Sequence, residues 1–318
     1  MQPFSYLVTP AGLIWTISCI PLGIALTVLG YFIINRIPAT WLCDYNETPS
    51  EELLSGKRIK FMPSGIFVSL VMAVCLALCR LQFNKGYDIY FTVLALILFD
   101  CMLIAVADIK YQIIPDQFTV ALGILAVGIS VYDIARGYHI FHSTWWSPLA
   151  GAGIGAAAML LIDFIGMLVY KRDGMGFGDV KLFLAVGVLT GFPGTIYTFI
   201  ISIITATIFF VAIILTARIS GGKEDSEEPV QEASGNAAEE AADQESGEEK
   251  PDEENTSATD DQDSGNDKQD EQTEENGSVG FGSYLAFGPY IAVALGLYIV
   301  LFDYIMYLAR LYLDLFNF

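Results

Sequence analysis

The chain has 318 residues, of which 54% are hydrophobic and only 16% are charged, whereas soluble domains carry about 25% charged residues. With a mean hydropathy of +0.51, this composition excludes an ordinary soluble protein and indicates a chain embedded in a lipid bilayer. The net charge of −20 comes almost entirely from residues 221–282, which hold 22 of the 36 acidic groups. Basic patches are absent, so nucleic acid is not a predicted partner.

Eight apolar segments approach the length of about 20 residues that crosses a bilayer core. In chain order they cover residues 11–35, 64–84, 88–107, 117–135, 145–170, 180–193, 195–217 and 283–313. A backbone in lipid must satisfy its own hydrogen bonds, so each segment is predicted to be a helix. We therefore expect an all-α polytopic membrane protein with about eight transmembrane helices.

The distribution of Lys and Arg predicts the orientation of these helices, because cytoplasmic loops are enriched in both. With the N-terminus outside, ten basic residues lie in or beside inner loops and four in or beside outer ones, two lysines of the acidic segment being left aside. The loops around 36–63, 108–116 and 171–181 are then cytoplasmic. The acidic segment is predicted to lie on the same side.

The acidic segment 221–282 divides the chain into three predicted parts. Residues 1–220 form a membrane body of about seven helices, and residues 283–318 supply the final helix that completes it. The segment between them is rich in Glu, Asp, Gln, Ser and Asn and has few apolar groups, so it is predicted to be a disordered cytoplasmic insert. It serves either as a solvated spacer or as an electrostatic attraction for basic segments.

Two clusters of charged residues border the apolar segments, and such groups are candidates for function because they are costly there. The first runs from Asp108 to Asp116 at the end of the third segment, and the second contains Asp179 and Lys181 before the sixth. The predicted topology places both clusters at the cytoplasmic face. Asp108 and Asp179 are thus expected to meet at one membrane boundary.

A pair of carboxylates at such a boundary is what an aspartic peptidase requires. Two close carboxylates share a proton, so one is ready to take a proton from water while the other polarises the peptide carbonyl. Gly176 and Gly178 are expected to give the backbone a geometry that other residues cannot adopt and to let it approach an extended substrate. Taken singly, Asp116 and Asp179 could be helix N-caps; taken jointly, the spacing favours a catalytic site.

These motifs resemble the type IV prepilin peptidases, which are GxGD-class membrane aspartic proteases. The resemblance rests on Asp108 with Pro115-Asp116 after it, and on the run Gly176-Phe177-Gly178-Asp179-Val180-Lys181-Leu182. Two further stretches are similar to the family, Gly30 to Pro38 and Phe287-Gly288-Pro289-Tyr290. The resemblance covers most of the membrane body and none of the acidic insert.

The resemblance implies cleavage of the short basic leader from prepilin or pseudopilin precursors by a protein of the bacterial cytoplasmic membrane, with its active site facing the cytoplasm. Asp108 and Asp179 match the catalytic pair, and either one is base or acid. The positions interpreted as motif or substrate-adjacent are Gly176, Gly178, Pro115, Asp116 and Lys181. Lys181 is expected either to act electrostatically on Asp179 or to reach the lipid headgroups.

The loop after the first helix departs from the pattern of many bacterial members. Those members carry paired Cys-x-x-Cys motifs that bind zinc there, and they also methylate the new pilin terminus. Here the loop, about Pro38 to Pro63, is short and contains only Cys43, and the chain has no Cys-x-x-Cys pair. We therefore predict no metal and no organic cofactor, and we do not assign methyltransferase activity.

Three alternatives to a prepilin peptidase stay open at this point. The first is a GxGD protease of the archaellin-peptidase or presenilin-like type with another substrate. The second is a transporter that uses Asp100, Asp108 and Asp179 for proton or cation coupling, although it leaves the glycines beside Phe177 without a role. The third is a pseudo-enzyme that retains the pair and serves as an assembly platform.

Overall fold

The computed structural model describes residues 10–43, 54, 58–83, 87–142, 144–170, 176–221 and 287–316. All regular secondary structure in these ranges is helical, which confirms the predicted all-α class. The helices are α1 (Pro10–Arg36), α2 (Ser64–Gln82), α3 (Asp88–Tyr111), α4 (Asp116–Arg136), α5 (Ser147–Tyr170), α6 (Phe177–Gly221), α7 (Gly288–Val300) and α8 (Phe302–Phe316).

Among the described residues, the helices α1 to α6 are each long and apolar enough to cross a membrane. The helices α7 and α8, bent by 80° at the break between them, form either a seventh, broken span or a re-entrant loop. The sequence predicts eight spans because it divides α6 into two. The predicted insert, 221–282, lies outside the described residues apart from Gly221. The three-part division of the chain stays a prediction.

The helix α6 is not straight, because Gly191 (φ 61°, ψ −177°) and Phe192 (φ −89°, ψ 123°) leave the helical conformation. The break separates residues 177–190, which we call α6a, from residues 193–221, which we call α6b. The ring centroids of Phe183 and Phe199 are 5.8 Å apart, whereas 16 residues of straight helix rise about 24 Å. The two arms therefore fold back on each other, and they correspond to the predicted sixth and seventh segments.

Side chains from neighbouring elements replace the helical hydrogen bonds that the break removes. The backbone N–H of Phe192 donates to Ser147 Oγ at 3.0 Å, and that hydroxyl donates to the Phe192 carbonyl at 3.1 Å. The Val188 carbonyl accepts from His142 Nε2 at 3.0 Å and from Ser130 Oγ at 3.1 Å. These contacts satisfy backbone groups that would otherwise be buried without a partner.

The loop after α4 is held by Asp133, whose side chain is 0% exposed. Its carboxylate accepts hydrogen bonds from the Tyr90 hydroxyl and from the backbone N–H groups of Ile140, Phe141 and His142. His142 Nδ1 lies 3.4 Å from Asp133 Oδ2. A buried carboxylate with this many donors fixes the loop, and the loop in turn presents His142 to the break in α6.

Close backbone contacts seat α6a against α5. A Cβ atom added at Gly151 would collide with the Gly187 carbonyl, and one added at Gly187 would collide with Gly151. At Gly155 an added Cβ would lie 2.8 Å from the Phe183 ring. Small residues allow helices in a membrane to pack at short range. These contacts therefore set the distance between α5 and the middle of α6a.

The outward surface of the helices is apolar, as expected for contact with lipid. Leu149 on α5, Ile124 on α4 and Phe67 on α2 are each about two thirds exposed or more. Exposed apolar surface of this extent marks a membrane-facing region. The architecture is thus that of a multi-pass membrane protein.

We expect Gly191→Ala to lower the free energy of unfolding by at least about 2 kcal/mol, because the backbone there is accessible to glycine alone and a Cβ would meet Ser147 and His142. The control is Gly128→Ala in α4, where an added Cβ has nothing within 4 Å. That variant should match or exceed the unmodified protein by up to about 1 kcal/mol. Unfolding in detergent micelles measures both, and equal stability of the two variants would contradict the role of the break.

Candidate active site

Asp108 lies near the C-terminal end of α3, and its side chain is only 3% exposed. The helix ends at Tyr111, and the next residue, Gln112, adopts a left-handed conformation and donates its backbone N–H to the Asp108 carbonyl. Pro115 follows in an extended conformation, and α4 begins at Asp116. The chain therefore reverses direction within a few residues of Asp108 and keeps that carboxyl at one end of the helices.

Asp179 lies in the first turn of α6a, and its side chain is 6% exposed. Its backbone N–H donates to the Gly176 carbonyl at 3.0 Å, which begins the helix. Gly178 is helical and is not among the residues with a positive φ, so no unusual backbone is found at that position. A Cβ there would make an ordinary contact of 3.4 Å with Ile114. The roles expected for Gly176 and Gly178 beside a substrate stay predictions.

The structure brings the two predicted carboxyl groups together. Ile114, from the connection after Asp108, contacts the backbone at Gly178 and at Gly288. The Asp108 charge lies near enough to act on Asp179 by electrostatic repulsion. Asp108 Oδ2 and Asp179 Oδ1 are both buried and have no hydrogen-bond partner within the described ranges. Buried polar atoms are seldom left in this state, so these two oxygens are the atoms expected to act on a bound molecule.

Gly288, the first residue of α7, lies directly against the Asp108 carboxylate. A Cβ at this position would collide with Asp108 Oδ2 and would lie 2.8 Å from the Ile114 side chain. The sequence contributed only the motif Phe287-Gly288-Pro289-Tyr290, and it gave no role to the glycine. Pro289 lies in the first turn of α7, where proline is well tolerated, and the proximity of Gly288 to Asp108 arises from the fold.

The predicted motif residues Asp116 and Lys181 form an ion pair. Lys181 Nζ donates to Asp116 Oδ1 at 2.9 Å and to Oδ2 at 3.0 Å. The side chains are 35% and 37% exposed for Lys181 and Asp116 respectively. Neither of the two roles expected for Lys181 involved Asp116, because the sequence does not show that α4 and α6a begin side by side.

The end of α1 packs beside the same site. The Arg58 guanidinium donates to the Ile37 carbonyl at 2.5 Å, and Lys110 donates to the Arg58 carbonyl. Leu42 packs against Ala107, the residue before Asp108. The described residues after α1 therefore pack against the end of α3, next to Asp108. Within the described ranges, no group of three His, Cys, Asp or Glu residues is arranged to hold a metal ion.

Two helix-end carboxyl groups, buried together in a multi-pass membrane protein, define a candidate membrane peptidase. Residues 94–211 match the Type IV leader peptidase family. This range begins in α3, ends in α6b and contains both Asp108 and Asp179. The match supports the type IV prepilin peptidase family and confirms the resemblance seen in the sequence.

Individual proteins similar to this chain are named as leader peptidases. The chain is 26% identical over 166 residues to the prepilin leader peptidase/N-methyltransferase of Bacillus subtilis, covering 52% of this chain and 60% of that protein. It is 30% identical over 164 residues to the protein of that name from Legionella pneumophila, covering 51% and 53%. The chain thus spans between half and two thirds of the length of these relatives. No solved structure matches it significantly.

We expect Gly288→Ala to lower peptidase activity by about 100-fold, because the new methyl group displaces the Asp108 carboxylate from its position. The matched control is Gly296→Ala on the same helix, where an added Cβ would make an ordinary contact of 3.6 Å with Leu98. Activity of that variant should stay within about twofold. Comparable activity of both variants would show that the position of the Asp108 carboxylate does not depend on Gly288.

Proposed function

We propose that this chain is a membrane aspartic endopeptidase that cleaves the basic leader from type IV prepilin or pseudopilin precursors. The observation that carries the proposal is the pair formed by Asp108 and Asp179, which are buried at one end of the helices with one unpartnered oxygen each. The family match across both residues supports a peptidase. The names of the relatives support a prepilin as substrate.

The proposed reaction is attack of water on the peptide bond after the leader. One carboxylate takes a proton from the water while the other, protonated, donates a hydrogen bond to the carbonyl oxygen. The tetrahedral intermediate then breaks down as a proton passes to the departing nitrogen. Either aspartate fills either role, because a coupled pair titrates as a unit.

The test replaces each carboxyl group by an amide of the same shape. Asp108→Asn and Asp179→Asn should each lower cleavage of a co-expressed precursor, made of a Lys-rich and Arg-rich leader followed by an apolar helix, by at least about 1,000-fold. Asp303→Asn in α8, where the residue is exposed, is the control and should cleave normally. The product's N-terminus is read by mass spectrometry.

Three results would contradict the proposal. Efficient cleavage by both variants would remove the carboxyl pair from the mechanism. No cleavage by the unmodified protein across several such precursors would favour the transporter, whose mark is an aspartate-dependent flux, or the assembly platform. Cleavage of archaellin-type precursors in preference to prepilins would move the assignment to the other GxGD protease.

Methylation of the product is a separate question. The relatives are named prepilin leader peptidase/N-methyltransferase, whereas we left this second activity unassigned because the loop after α1 contains a single cysteine. The family match begins at residue 94, after that loop. The same mass spectrum decides: a product heavier by one methyl group would assign the second activity, and an unmodified product would exclude it under those conditions.

We further propose that the protein lies in the bacterial inner membrane with the carboxyl pair facing the cytoplasm, as the distribution of Lys and Arg indicates. In a background without the native cysteines, Ile109→Cys, at the end of the helices that bears the carboxyl pair, should react with a membrane-impermeant maleimide only after cells are permeabilised. Trp145→Cys at the opposite end should react in intact cells. Both native side chains are about 70% exposed. The reverse pattern would invert the topology.

A further inference from the structure

The two segments that carry the carboxyl pair are joined by side chains close to the pair itself. Asp116 follows Asp108 by eight residues, and Lys181 follows Asp179 by two within the same turns of α6a. Lys181 Nζ contacts both oxygens of Asp116, at 2.9 and 3.0 Å. A change in the separation of these two side chains therefore changes the separation of the segments that bear Asp108 and Asp179.

A groove of about 360 Å³ lies next to this ion pair and is open to the surface between α4 and α6a. Asp116 and Lys181 line it together with small or apolar residues that include Thr119, Gly123 and Ala185. An added Cβ at Gly123 would only just reach Ala185, at 4.0 Å. Several residues on this side of the interface are small, so we expect side-chain packing there to constrain the spacing of the two helices only weakly.

From this geometry we propose that Asp116 and Lys181 are a positioning pair that sets the distance between the two carboxyl groups. The inference rests on the proposed peptidase function for its kinetic test. Neither residue is assigned contact with the reacting atoms. The pair acts through Asp108, by way of the short connection held by Pro115, and through Asp179, by way of the first turns of α6a.

The exposure of the pair separates this role from a purely structural one. An ion pair that is about one third exposed contributes little to stability, so the fold should survive its removal. Catalysis is far more sensitive, since a displacement of about 1 Å of a catalytic group can cost about 100-fold in rate. Loss of the pair should therefore appear in kcat before it appears in the thermal midpoint.

The experiment compares Asp116→Asn, Lys181→Gln and the charge-exchanged double variant, Asp116→Lys with Lys181→Asp, in the full chain with the precursor described above. Each single variant should lower kcat by about 10- to 100-fold, with KM changed less than about twofold and the thermal midpoint unchanged. The double variant should recover most of the lost kcat. Asp88→Asn is the control, because it breaks another ion pair, with Arg80 at 2.9 Å, far from the site.

Four results would overturn the proposal. Three concern kinetics: an unchanged kcat in the single variants, a loss of activity caused by a higher KM, or no recovery of kcat in the double variant. The fourth is a lowered thermal midpoint that accounts for the lost activity. A rise in KM alone would instead place the pair in contact with substrate. Equal loss of kcat in Asp88→Asn would show that any broken ion pair has the same effect.

A distance measurement tests the inference without any cleavage. Spin labels at Ile109 and Phe177, which are both exposed, report the separation of the segments that bear the carboxyl groups. Each single variant should shift or broaden the distance distribution, and the double variant should restore it; an unchanged distribution would overturn the positioning role. If the unmodified protein cleaves no precursor but the distances respond, the peptidase proposal fails and the positioning pair stands.

Discussion

Burial of two carboxyl groups at one end of a helical membrane protein is the constraint on which the rest of the structure depends. Charged groups are costly away from water, so Asp108 and Asp179 occupy helix ends rather than helix centres. That placement requires α3 to end and α4, α6 and α7 to begin at the same level. The glycine at position 288 lets the start of α7 come close enough to lie against the Asp108 carboxylate.

The opposite end of the protein determines where α6a ends. Because the break at Gly191 leaves backbone groups without helical partners, side chains of Ser130, His142 and Ser147 must accept or donate in their place. Asp133 fixes the loop that carries His142. A network that is remote from the carboxyl pair thus fixes the position of α6a along its own axis, and with it the position of Asp179.

Much of this arrangement was predictable from the sequence, because hydropathy and the spacing of charged residues are local signals. They gave the helical segments, both carboxyl groups and the family. The contacts of Gly288, the pairing of Asp116 with Lys181 and the burial of Asp133 depend on which helices are neighbours, which no local pattern encodes. The glycines at 176 and 178 were expected to matter through backbone freedom, whereas Gly178 adopts the ordinary helical conformation of α6a.

The shortness of α6a has a consequence for the way the protein is made. Its 14 residues rise about 21 Å, less than the hydrocarbon core of about 30 Å, so α6a is a poor membrane segment for the insertion machinery when it stands alone. We therefore expect it to enter the bilayer as a hairpin with α6b, once Ser130, His142 and Ser147 are in place to complete its turn. A nascent chain therefore holds no complete carboxyl pair until this late step of biogenesis has finished.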